Sequence, residues 1–301
     1  MQLVSSLDSA KPTWGRFFGT LAVAAVCVAG VLVAVAQPAP PAHLVKGLQL
    51  ADEIAGAQHA GVFADANNVS LNRYGGVWNS ATDPSFIRFA DFANGVLPAN
   101  HTRCAPLVTH LLKACYNWNW SAHSFYDPLL KITKSSASPA PYQYIALLKA
   151  GKGFAARLTR LDQALPGDLL LWWNVGTDAG DHAMIVVAID AAGAKAYPSE
   201  FAAAKPELAG TTYYAVTVLD SSSGLHTDDS RLVPVNGVDT PIAGLGTGTV
   251  GVLVNANSEI VGTTWSLPTA NFTTQKDAWL NGLHSRLKMQ TTTEALIGRL
   301  P

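Results

Sequence analysis

Charge is scarce in this sequence. Only 14% of its 301 residues are Asp, Glu, Lys or Arg, while 49% are hydrophobic. That composition excludes an intrinsically disordered chain, which needs the opposite balance. Lys and Arg total 20 against 21 Asp and Glu, a formal net charge of −1. No basic surplus exists to neutralise a phosphate backbone, so nucleic acid is not expected as a partner. Cysteine is scarce too, with three in the chain. A disulfide framework is therefore excluded. Long apolar runs are absent after residue 36, which excludes a multi-span membrane protein. No H-E-x-x-H pattern occurs, and Gly244-x-Gly246-x-Gly248 is followed by a strand pattern rather than a helix. The first absence removes the usual zinc-hydrolase signature, and the second removes a dinucleotide loop.

What is present begins with one uncharged run, Phe17 to Ala36, preceded by Lys11 and Arg16. It ends in Ala34-Val35-Ala36, followed by Gln37-Pro38. Positive residues, an apolar stretch and small residues at the end are the marks of a secretory signal. Residues 1–36 are thus expected to be a signal peptide or an N-terminal membrane anchor, with membrane anchoring through 17–36 as the second form. Either form predicts an exported protein of the periplasm, the cell envelope or the medium. Residues 37–301 are expected to form a single domain with an N-terminal helical extension.

Helix periodicity is cleanest over Arg103–Tyr116, with Cys104, Leu107, Val108, Leu111, Leu112 and Cys115 on one stripe. Pro106 is tolerated only in a first turn, so Cys104 must stand there too. Leu44–Ala60 and Tyr142–Ala150 are two further expected helices. Strands are expected at Asp168–Trp173, His182–Ile189, Tyr213–Leu219, Val250–Val254, Ile260–Trp265 and Glu294–Leu300. Helices first and sheet second predict an α+β class. Cys104 and Cys115 on one helix would lie roughly 16 Å apart. A disulfide needs Cα atoms within about 7 Å, so both are read as free thiols.

A thiolate is stabilised at a helix N-terminus, whose free N–H groups also suit an oxyanion. That makes Cys104 a candidate nucleophile, against the plain alternative of a buried structural cysteine. A nucleophilic cysteine needs a base, and His182 opens a strand at the edge of a polar loop. The base needs an orienter. If Ile189 pairs with Tyr213 in antiparallel register, His182 falls opposite Asp220 on the same face. The alternative is that Asp220 only opens the turn that follows it. His226 and Arg231 follow closely and are candidate substrate-binding residues, Arg231 through a substrate carboxylate; a solvated loop with local ion pairs is the plainer reading. Asp178, Asp181, His182, His226 and Asp228 are a looser set of metal-ligand types without ligand spacing, so no metal and no cofactor is expected. Trp118, Trp120, Trp172, Trp173 and Trp265 are read chiefly as core, with glycan stacking as the alternative.

The ordered set of motifs resembles the NlpC-type papain-like cysteine peptidases. Thr102-Arg103-Cys104-Ala105-Pro106-Leu107-Val108 is similar to their nucleophile helix. Leu165-Pro166-Gly167-Asp168-Leu169-Leu170 resembles their Pro-Gly-Asp strand opening, and Asp181-His182-Ala183-Met184-Ile185-Val186 their His strand. Tyr74-Gly75-Gly76 is similar to their upstream Tyr segment, which implies a substrate-binding role for Tyr74. The resemblance covers roughly residues 74–265. It implies a papain-like α+β domain, its nucleophile helix packed on an antiparallel sheet. It also implies a Cys104-His182-Asp220 triad and cleavage of an amide bond in peptidoglycan peptides, or of another amide or ester. A catalytically inactive envelope-binding module and an acyltransferase using the same triad are the two alternatives.

Overall fold

Pro106 stands in the first turn of the helix Cys104–Tyr116, where its missing N–H costs nothing. The computed structural model describes residues 39–177, 180–201, 205–270, 275, 278, 283, 287–289 and 293–300. The expected export segment therefore lies outside the described residues. The chain divides into two compact units, Met1–Ala39 and Pro40–Pro301, and the helices and strands described all belong to the second. Among the described residues no helix is long and apolar enough to cross a membrane. The three expected helices form as α1 (Ala42–His59), α2 (Cys104–Tyr116) and α3 (Pro141–Lys149).

The fold class departs from expectation. The chain is mostly β, built on an eight-stranded antiparallel sheet, and is not clearly a helix-on-sheet papain fold. Short strands occupy polar stretches that carry no alternating pattern. β1 (Asn72–Tyr74), β2 (Phe86–Arg88) and β3 (Ala99–Thr102) make a small sheet in the order β1-β3-β2. β4 (Ser124–Asp127) and β5 (Ile132–Ser135) form a hairpin.

The large sheet draws on β6 (Ala156–Leu158), β7 (Leu169–Asn174), β8 (His182–Ala196) and β9 (Thr212–Ser222). A separate hairpin, β10 (Leu232–Val235) and β11 (Val238–Pro241), follows. The sheet resumes with β12 (Gly244–Val254), β13 (Ile260–Thr264), β14 (Leu287–Met289) and β15 (Thr293–Arg299). Its spatial order is β14-β13-β12-β9-β8-β7-β15-β6.

Both faces of this sheet are covered, which is why β7 reads as an unbroken apolar run rather than an alternating one. Leu169, Leu171 and Trp173 join the core under the three helices, with Ala183, Ile185 and Leu219. Leu170 and Trp172 face the other way, into a cluster with Met184, Val218, Val252, Ile260 and Ile297. That second cluster spans strands from nearly the whole width of the sheet. The sheet rolls round it until Arg160, just past β6, bridges Glu259, just before β13. Fully burying each such aliphatic side chain is worth about 1.5–3 kcal/mol relative to exposure, so two filled faces anchor the strand ends that carry the polar residues.

Candidate functional site

His182 is the first residue of β8, and Asp220 stands near the end of β9. Both are buried: His182 is 5% exposed and Asp220 0%. The expected register does not occur. Ile189 pairs with Val216, and Tyr213 pairs with Lys195. Bulges between Val186 and Ala188 and between Asp190 and Lys195 absorb the difference. Near the site Ile185 pairs with Leu219. Continuing that pairing sets Met184, not His182, opposite Asp220. The displacement is two residues, so the facing side is kept. The imidazole reaches the carboxylate diagonally, with Nε2 2.6 Å from Asp220 Oδ2. Asp220 also does not open a turn, because β9 continues to Ser222.

The imidazole's other neighbour is Cys104. The charge of Cys104 acts on the ring. Burial alone would depress the imidazole. The charge of Cys104 and the hydrogen bond to Asp220 outweigh it and raise His182 to about 10. Burial would likewise raise Asp220, but hydrogen bonds from His182 and His226 hold it well below the ordinary carboxylate range.

Cys104 is the first residue of α2 and is 5% exposed. A buried polar chain pins the approach to it. Ser221 Oγ donates to the Thr102 carbonyl at 2.6 Å, one residue beyond Asp220 and two before Cys104. Asn100 Nδ2 donates to Ser221 Oγ at 3.3 Å and to Asn72 Oδ1 at 3.2 Å. Asn72 in turn exchanges hydrogen bonds with the Leu245 backbone at 2.8 and 2.7 Å. Thus β1 and β3 are fastened to β9 and β12 beside the site. Both thiols are free, Cys104 buried and Cys115 half-buried. The N–H groups of Cys104 and Ala105 have no partner within the helix, as at any helix start.

Asp220 is shared. His226 Nε2 lies 3.0 Å from the same Oδ2, and Arg231 Nη1 lies 3.4 Å from Oδ1. Arg231 is only 1% exposed, and its Nε donates to Asp229 Oδ1 at 2.8 Å. Neither a solvated loop nor a substrate-gripping surface describes these two residues. Both are buried against the Asp220 carboxylate. Tyr74 ends β1, directly paired with Thr102, and is half-buried. Burial first, then the charge of Cys104, pushes its phenol up to about 12, with Arg103 opposing. It is the one expected substrate-binding residue that lies within electrostatic range of Cys104 without being fully buried.

The Gly244-x-Gly246-x-Gly248 segment lies within a strand rather than before one. It is the first half of β12, with Gly246 paired to Asp220. A Cβ on Gly246 would stand 2.5 Å from Arg231 Cγ, and one on Gly248 2.7 Å from His226 Cβ. Bare strand positions make room for the Arg231 and His226 side chains under Asp220. The alternating glycines were the available sequence signal for that. Trp265 lies 4.9 Å from His182 and 4.3 Å from His226 between ring centroids, and Trp172 lies 5.8 Å from His182. Both tryptophans therefore wall the imidazoles. Other histidines have their own partners: His101 meets the Ser70 carbonyl, and His110 meets Ser85 Oγ.

His182, Asp220 and His226 are the one grouping of metal-ligand types that comes together among the described residues, with ligand atoms within 4.8 Å of one another. Asp178 of the looser sequence set lies outside the described residues. A metal bonded at about 2 Å to each atom would have to open the 2.6 Å contact between His182 and Asp220. It would also meet the Arg231 guanidinium on the same carboxylate. Asp220 Oδ2 is hydrogen-bonded by both imidazoles, while buried Oδ1 has no hydrogen bond and only the Arg231 charge at 3.4 Å. Chemically, the arrangement can hold a thiolate against an imidazolium and return a proton from that imidazolium. Compared with family models, curated proteins and solved structures, the chain matches none, so the reading of its chemistry rests on the geometry of Cys104, His182 and Asp220.

Proposed function

We propose that this chain is an exported cysteine hydrolase that cleaves an amide bond through Cys104, His182 and Asp220. The observation that supports the reading is buried His182, hydrogen-bonded to Asp220 and within electrostatic range of Cys104 at the start of α2. A triad is recognised by such roles and geometry, not by the fold that hosts it. The substrate class, a peptidoglycan peptide, rests on the NlpC-type motifs around these residues.

In this account His182 holds the Cys104 proton, and the thiolate sulfur attacks the scissile carbonyl carbon. The N–H groups at the start of α2 face the developing oxyanion. The tetrahedral adduct collapses as the C–N bond breaks, and His182 gives its proton to the leaving amine. Water then attacks the thioester with His182 as base. The carboxylic acid leaves, and the Cys104 proton is restored. Asp220 keeps the imidazole in one tautomer and stabilises its charged form.

The test is incubation with defined cell-wall peptide fragments, following release of a new amine and a new carboxyl group by mass spectrometry. Products that disappear in Cys104→Ala are expected. Products that persist in that variant would contradict the reading. Binding of the fragments with no cleavage would favour the envelope-binding alternative.

A further inference from the structure

His226 takes no part in the steps above, yet it is built into the site with as much care as His182. Its ring has two neighbours. Nδ1 lies 2.8 Å from the Trp265 carbonyl oxygen, and Nε2 lies 3.0 Å from Asp220 Oδ2. A carbonyl oxygen only accepts, so Nδ1 must donate. An ionised carboxylate also only accepts, so Nε2 must donate as well. A ring flip would place carbons where the nitrogens are and lose both bonds. A neutral imidazole has one proton and satisfies only one of these partners.

We infer that His226 is a doubly protonated positioning residue that clamps the Asp220 carboxylate and supplies the positive charge that balances the layer beneath Cys104 and His182. The inference rests on the proposed triad. The ionisable groups facing His226 are Asp220 from β9, Asp229 from its own loop, and His182 from β8. Asp229 is itself paired with Arg231. Two carboxylates, Asp220 and Asp229, are thus offset by two cations, His226 and Arg231. The layer under the thiol is neutral overall. Without the His226 charge it becomes negative, and a thiolate above it forms less readily. The fold makes room for this imidazole: Gly248 leaves the strand bare where its Cβ lies, and Trp265 covers its face. His226 is buried, so bulk solvent cannot substitute for either partner.

Two measurements test the inference. The first is nitrogen-15 NMR of the histidine rings in the wild-type chain near pH 7. Two protonated ring nitrogens on His226 are expected, and a single ring proton would overturn the inference. The second is the alkylation rate of Cys104 against pH in wild type, His226→Gln and His182→Ala. Gln keeps a donor for Asp220 but carries no charge. The midpoint in His226→Gln should move to higher pH by about one unit, the size of one charge at this range in a partly polar interior. A lower melting temperature with an unmoved midpoint would reduce His226 to a structural role and overturn the inference. His182→Ala separates the two claims. If His182→Ala changes the Cys104 profile and His226→Gln does not, only the His226 inference falls. If His182→Ala also changes nothing, the triad itself falls.

Discussion

Helix α2 carries a cysteine near each end, and the two differ in everything but chemistry. Cys104 opens the helix, is buried, and acts by its charge on His182. Cys115 lies in the last turn and is half-buried. Burial pushes its thiol up, with Lys46 pulling weakly the other way. One end of the helix is tied by Ser221 and Asn100 to a strand bearing a buried carboxylate. The other end runs out to Tyr116, whose hydroxyl meets His43 Nδ1 at 3.0 Å. The lesson is that a thiol's reactivity is set by what the fold brings to it, since the helix and the residue type are shared.

Removing each sulfur in turn breaks this comparison most sharply. Cys104→Ala is expected to reduce cleavage to background, while Cys115→Ala leaves the turnover rate unchanged, as measured on a common fragment. Removing the base comes next. His182→Ala should lower turnover by about 100-fold or more, the usual range for loss of a general acid–base group. Asp220→Ala should show its effect in stability as well. It strands His226 and Arg231 without their buried anion and is expected to cost on the order of 3 kcal/mol in denaturant unfolding.

A pH series sharpens the comparison further. His182 is raised from 6.5 to about 10 in the folded chain. Its stabilising contribution is therefore complete below pH 6.5 and is lost as pH rises through about 10. The melting temperature should fall across that window, and less steeply in Cys104→Ala, because the thiolate is one cause of the rise. The smallest effect is expected at the tie. Ser221→Ala removes two buried hydrogen bonds, the one to the Thr102 carbonyl and the one from Asn100, and should cost about 1–2 kcal/mol, with a lower turnover rate as the Cys104 turn loosens.

Much of the site was legible in the sequence because its signals are local. Pro106 fixes the start of α2, and therefore the place of Cys104. The apolar run after His182 fixes a strand start. The pairing of His182 with Asp220 was expected from a register that does not form. It occurs because the bulges shift β8 by an even number of residues, which leaves both side chains on one face. The architecture was less legible. Three-residue strands such as Asn72–Tyr74 and Phe86–Arg88 are too short to show an alternating pattern. Asn72 and Asn100 read as loop residues, yet both are buried and hydrogen-bonded across elements far apart in sequence. Gly244 to Gly248 read as preceding a strand, because glycine is poor in strands. The strand exists there because its neighbours fill the space that side chains would take. Arg231 read as exposed because most arginines are, and only the burial of two carboxylates explains its place.

The most direct test of the central claim compares the two thiols in one tube. Iodoacetamide labelling of the chain is followed against pH, with Cys104 and Cys115 separated by peptide mass spectrometry, in wild type and in His182→Ala. Rapid labelling of Cys104 below pH 7, slowed in His182→Ala, is expected, while Cys115 reacts only as pH approaches about 8.5 or above, the ordinary thiol range. A Cys104 rate that follows Cys115 at every pH and ignores the His182 substitution would contradict the account.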